Sequence, residues 1–206
     1  MNPLALWNRC FADLGLPAPQ GDEFVSLTAH YSEPHRAYHT MQHIEECLGE
    51  FDRSWNLARS PGLVGVALFY HDAIYDTHAH DNEEKSAALA CRVLESVGAP
   101  TAVTDNLREQ ILVTRHAAGP ITDDQKLVVD IDLSILGAAE PRFDEYERQV
   151  REEYSWVEEP FFRMVRAKIL QDFLARPFIY NTTAYGDRLE SKARANLACS
   201  ITALTR

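Results

Sequence analysis

The run Leu63-Val64-Gly65-Val66-Ala67-Leu68-Phe69-Tyr70 is apolar on every side, and it ends abruptly in His71-Asp72. A helix with no polar face has to lie at the centre of a bundle, with other helices all around it. The run is far shorter than the roughly 20 apolar residues that a bilayer span needs, so a buried central helix is the reading and no membrane is expected. Elsewhere apolar residues recur at helical spacing: Leu6, Cys10, Phe11 and Leu14; Ile44, Cys47, Leu48 and Phe51; Leu107, Ile111 and Leu112. The expected fold class is therefore all-α, about eight to ten helices in one bundle. Breakers divide them at Gly15 to Pro19, Pro34, Ser60-Pro61-Gly62, Gly98 to Pro100, Gly119-Pro120, Gly137, Pro160 and Pro177. Thr122 with Gln125, and Asp187 with Glu190, have the spacing of capping boxes and mark two helix starts.

A chain of 206 residues, 46% of them hydrophobic, can build one continuous core, so a single domain over 1-206 is expected. The net charge of -11 repels nucleic-acid backbones and anionic membranes, which argues against a polymeric nucleic-acid partner. Cys10, Cys47, Cys91 and Cys199 are scattered, form no CxxC pair and read as reduced thiols; Met1 to Phe11 lacks the basic leader of a signal peptide. A cytoplasmic location is the corresponding expectation.

Three clusters carry chemistry. His39 and His43 stand four residues apart, and on a helix they share one face. An isolated pair at this spacing is commonly no more than surface or capping histidines. His71-Asp72 closes the apolar helix, where ionisable groups must be desolvated and a divalent cation compensates a buried carboxylate best. In Val128 to Leu136, Asp130 and Asp132 lie two residues apart in an apolar helix and cannot face the same way; Asp132 is taken as the inward one and Asp130 as turned to solvent or a helix end. His43, His71, Asp72 and Asp132 then form a set of two imidazoles and two carboxylates. Such a set suits a divalent transition metal, Mn, Fe, Zn or Ni, and less readily Mg.

In order and spacing these elements resemble the HD superfamily, whose pattern is H, then HD, then D on a helical bundle. The resemblance places the metal-site core at about 34-137, with C-terminal helices at about 140-206 packing on it. Tyr38-His39-Thr40-Met41-Gln42-His43 is similar to a signature of cyclic-nucleotide phosphodiesterases, in which the second histidine binds metal and the first protonates the leaving group. Thr40 stands where that signature has asparagine, which counts against a cyclic nucleotide. The chain as a whole resembles a group of small bacterial predicted HD phosphohydrolases through YHTMQHI, LFYHDAIYD, DNEEKSA, TRH, DIDLSILG, VREEY and KARANL.

The resemblance implies a metal-dependent phosphohydrolase acting on a small phosphate ester, with a nucleotide among the candidates. His39 and Asp72 would be catalytic, and Arg36, Lys85 and Arg115 flank the motifs as candidate phosphate-binding groups. Glu83 and His116 are the candidates for a second metal, although either also fits a role at a helix end. A di-iron oxygenase and a non-catalytic HD module that binds a nucleotide or partner around a structural metal are the competing readings. The charged stretches Arg151 to Tyr154 and Lys192 to Asn196 read as solvated faces or interhelical salt bridges, and Trp156, Phe161, Phe162, Phe173, Phe178 and Tyr180 as core packing.

Overall fold

The apolar run becomes helix α4, Pro61–Tyr70, in which every residue from Gly62 to Tyr70 is buried. The computed structural model describes residues 2–19 and 21–206, and about 70% of the chain is helical, with no strand among the described residues. The other helices are α1 (Pro3–Asp13), α2 (Glu23–His30), α3 (Met41–Ser54), α5 (Asn82–Ser96), α6 (Thr101–Leu112), α7 (Asp123–Asp132), α8 (Glu140–Glu153), α9 (Glu159–Leu174) and α10 (Thr183–Leu204). Short 3-10 turns follow α3, α6 and α7 at Trp55–Leu57, Val113–Arg115 and Leu133–Gly137. No helix among the described residues is long and apolar enough to cross a membrane.

The helices group into two compact units, Met1–Asp132 and Leu133–Arg206. In the first, α4 touches α1, α3, α5, α6 and α7, the central place that its composition demands. Each fully buried Val, Leu or Phe on it contributes about 1.5–3 kcal/mol. Close approach of α1 requires two glycines: a Cβ on Gly62 would overlap the carbonyl oxygen of Cys10, and one on Gly65 would overlap the Cys10 sulfur. The N-terminal end of α4 is satisfied by carboxylates from afar. Asp13 Oδ2 accepts from the Gly62 amide at 2.8 Å, and Asp124 accepts from the amides of Arg59 at 2.6 Å and Ser60 at 3.0 Å. Negative charge at this end suits the helix dipole, which at the other end, beside His71-Asp72, favours a cation.

The Thr122 box forms as the spacing predicts: the Gln125 amide donates to Thr122 Oγ1 at 3.2 Å, and Gln125 Oε1 accepts from the Thr122 amide at 3.1 Å. The Asp187 box does not form. Helix α10 begins at Thr183, so Asp187 lies inside it, and Glu190 instead accepts from the amides of Ile179 and Tyr180 and from Arg194 Nε. The preceding loop offers Glu190 two amides that need an acceptor, and these take the place of a helix start.

Within the second unit the charged stretches fasten backbone. Arg194 donates to the carbonyls of Leu174, Arg176 and Pro177, closing the end of α9, and Asn196 Nδ2 donates to those of Leu136 and Ala138. The expected aromatic core is only partly realised: Phe162 and Tyr180 are buried, whereas Trp156, Phe161 and Phe178 are exposed, at 54%, 57% and 75%.

Candidate metal centre

Three segments distant in sequence deliver the four groups, all within the first unit. His43 sits in the first turn of α3, whose start is set by Thr40 Oγ1 accepting from the Gln42 amide at 3.3 Å. His71 caps the C-terminus of α4 and Asp72 follows in the turn. Asp132 is the last residue of α7, where the backbone tightens into the 3-10 turn. Among the described residues, His43, His71, Asp72 and Asp132 form the one group able to hold a metal ion, with ligand atoms within 4.8 Å of one another.

The spacing of these atoms tests the fit. His43 Nε2 lies 3.2 Å from His71 Nε2, 3.4 Å from Asp72 Oδ2 and 3.4 Å from Asp132 Oδ1. His71 Nε2 lies 3.0 Å from Asp72 Oδ2 and 3.4 Å from Asp132 Oδ1. Ligand atoms held about 2.1 Å from a common centre stand about 3.0 Å apart at right angles and about 3.4 Å apart at the tetrahedral angle, the lengths of a first-row metal site. The carbonyl of Leu68, which can only accept, lies 3.0 Å from His71 Nδ1, so that nitrogen carries a proton and Nε2 is the atom that would bind a metal at the shared point. For His43 the neighbouring group is the Cys47 sulfur, 3.7 Å from Nδ1 and one helical turn further along α3.

Burial is uneven and gives the cluster a direction. His43 and His71 are 2% and 1% exposed, while the side chains of Asp72 and Asp132 are 18% and 14% exposed, so the centre opens toward solvent on its carboxylate side. Burial by itself lowers the basicity of His71, but Asp72 and Asp132 outweigh it and hold the imidazole well above its usual pKa. Burial likewise raises the two carboxyls, and is outweighed by His71 and His39 at Asp72 and by His116, His43 and His71 at Asp132, so both are held well below the carboxylate range.

The remaining candidates are placed as follows. His39 precedes α3 and does not share a helical face with His43; its ring centroid is nonetheless 5.9 Å from that of His43, and it stacks on Tyr75 at 4.1 Å. Asp130 does not turn to solvent: it is fully buried, more so than Asp132, on a helix that packs against α3, α4 and α6. Arg36 is fully buried in its side chain and donates to Glu33 and to the carbonyls of His39, Asp72 and Ala73, which removes it from reach of an anion in solvent. Lys85 is exposed and paired with Asp81 at 2.7 Å, and Arg115 pairs with Glu83 and Glu84. Glu83 therefore stands with Arg115 and outside the four-residue group. His116 does approach the cluster, with Nε2 3.0 Å from Asp132 Oδ2, the oxygen turned away from the histidines.

Cys47, one turn beyond His43, was open to detection by spacing as part of the site, whereas Tyr75 and the Leu68 carbonyl meet the site only through tertiary structure. No family model, no curated protein and no solved structure matches the chain. What fold and site together define is an all-α protein carrying a buried two-histidine, two-aspartate cluster that can hold a metal ion.

Proposed function

We propose that this chain is a metal-dependent phosphohydrolase of the HD type, acting on a small phosphate ester or nucleotide. The observation that carries the reading is the meeting of His43, His71, Asp72 and Asp132, whose histidine nitrogens lie 3.0–3.4 Å from each other and from both carboxylates. A divalent ion held there supplies a water acidic enough to attack at neutral pH and offsets negative charge on the phosphoryl group. Two carboxylates balance the dication, and the two neutral imidazoles leave no further charge to compensate. The exposed carboxylate edge is the side on which a phosphoryl group can approach. His39, half-buried and close enough to Asp72 to lower its pKa, is the group suited to give a proton to the departing oxygen. The pairing of Glu83 with Arg115 favours one metal over two, and so favours hydrolysis over di-iron oxygen chemistry.

The test is elemental analysis of the purified protein followed by a screen of phosphate esters and nucleotides, with Asp72→Ala and His39→Ala in parallel. The reading expects a first-row metal, hydrolysis of at least one ester, loss of both metal and hydrolysis in Asp72→Ala, and a fall in kcat of about 100-fold or more, with metal retained and residual turnover measurable, in His39→Ala. A metal-loaded protein that hydrolyses no ester favours a binding module instead.

A further inference from the structure

Four acceptors converge on one buried guanidinium. Arg36 Nε donates to Glu33 Oε2 at 2.9 Å, one terminal nitrogen donates to the carbonyls of His39 at 3.0 Å and Asp72 at 2.7 Å, and the other donates to the carbonyl of Ala73 at 2.9 Å. The guanidinium carbon also lies 5.2 Å from the Tyr31 ring centre and 5.4 Å from that of Tyr75, and Tyr75 in turn stacks on the His39 ring. Tyr31 is anchored by its hydroxyl, which donates to the carbonyl of Phe69 in the last turn of α4 at 2.8 Å. The planar fork thus joins two strips of chain, the segment before α3 that carries His39 and the turn after α4 that carries Asp72, which His35 Nε2 and the Tyr75 carbonyl also join at 2.8 Å. A carbonyl of a buried turn needs a donor, and a fixed fork meets several at once where a flexible ammonium cannot.

We infer that Arg36 is a positioning residue that holds the imidazole of His39 and the carboxylate of Asp72 at one separation, and is not a phosphate-binding group. The inference rests on the proposed roles of His39 and Asp72 in a metal-dependent reaction. Its reach over the metal centre is nevertheless measurable without turnover. Pinning the Asp72 and Ala73 carbonyls sets where the Asp72 side chain starts, and outer partners of metal ligands typically change affinity by about 10- to 100-fold when removed.

The experiment loads the full chain with Co2+ and reads affinity and the visible absorption spectrum. Arg36→Lys keeps the charge and loses the fork; a loss of about 10-fold or more in Co2+ affinity with an altered spectrum is expected at unchanged helix content. Glu33→Ala removes the acceptor for Nε at a half-exposed position, together with the contacts of Glu33 to His30 and His35 at 3.6 and 3.7 Å, and a smaller loss in the same direction is expected. Wild-type affinity and spectrum in both variants overturn the inference, and if Arg36→Lys does not fold, wild-type behaviour of Glu33→Ala overturns it alone. A wild-type chain that binds no Co2+ sinks this inference together with the proposed function. One that binds Co2+ but hydrolyses no ester sinks only the latter. Where turnover is found, the His39 arm is read at saturating metal: Arg36→Lys costs kcat in the wild-type background and nothing further beside His39→Ala, whereas additive losses overturn the coupling.

Discussion

Twenty-eight residues apart in the chain, His43 and His71 present their Nε2 atoms to each other at 3.2 Å. Two nitrogen lone pairs do not settle at that distance without something between or beside them. Asp72 and Asp132 stand at 3.0–3.4 Å from the same nitrogens, so either protons or a cation must fill the space that the four groups enclose.

That competition sets a pH dependence. In the metal-free protein His71 is held well above its usual pKa, and Asp72 and Asp132 well below theirs. The imidazolium share of the pairing stabilises the fold fully below about pH 6.5 and is lost as pH rises through the raised native value; the carboxylate share is present above about pH 4 and is lost as pH falls through the depressed one. Binding a divalent ion displaces the imidazole protons. The rise in Tm on adding saturating Co2+, followed by scanning fluorimetry, is therefore expected to be larger at about pH 8 than at about pH 6. An equal or smaller rise at the higher pH argues against a site on these histidines.

His116 bears on Asp132 from outside the four-residue group. Its backbone is left-handed, with φ of 56°, a conformation asparagine tolerates, so His116→Asn removes the imidazole without adding backbone strain. Metal affinity by competition titration is expected to fall about 10-fold while the bound metal per chain stays the same. A drop in stoichiometry would instead make His116 a ligand to a second ion.

The contact between α1 and α4 leaves no room at Gly65, where an added Cβ would overlap the Cys10 sulfur and lie 2.9 Å from Phe51 Cε1. Gly65→Ala is expected to cost about 1–3 kcal/mol in urea denaturation. Adding Cys10→Ala should recover part of that loss, because the two side chains compete for one space, and simple additivity of the two substitutions would contradict the packing described.

Thiol chemistry offers a check on the fold that does not involve the metal centre. Cys10, Cys47 and Cys91 are buried and Cys199 is exposed, and burial pushes the Cys10 thiol up to about 12. One rapidly labelled thiol per native chain is expected with a maleimide, and none in Cys199→Ser. Rapid labelling of a second cysteine would show that the first unit opens more readily than its packing implies.

Local pattern was enough to determine that the chain is helical, that Leu63 to Tyr70 lies at its centre and that Thr122 starts a helix, since each depends on spacing within a few residues. The residues of the candidate metal cluster were legible in part for the same reason: His71, Asp72 and Asp132 stand in or at the end of oily segments and need compensation wherever they are, whereas His43 offered only a weak four-residue spacing to His39 and a place in the H, HD, D order. What each charged side chain does with its partners was decided only in three dimensions. Arg36 reads as a candidate phosphate-binding group in sequence and is a buried clamp on three carbonyls; Glu190 reads as part of a helix cap and instead holds the loop before its helix; Asp130 reads as turned outward and is fully buried. Hydrophobic burial follows periodicity, which a sequence displays. The satisfaction of a buried polar group depends on which distant backbone arrives beside it, and only the folded chain specifies that.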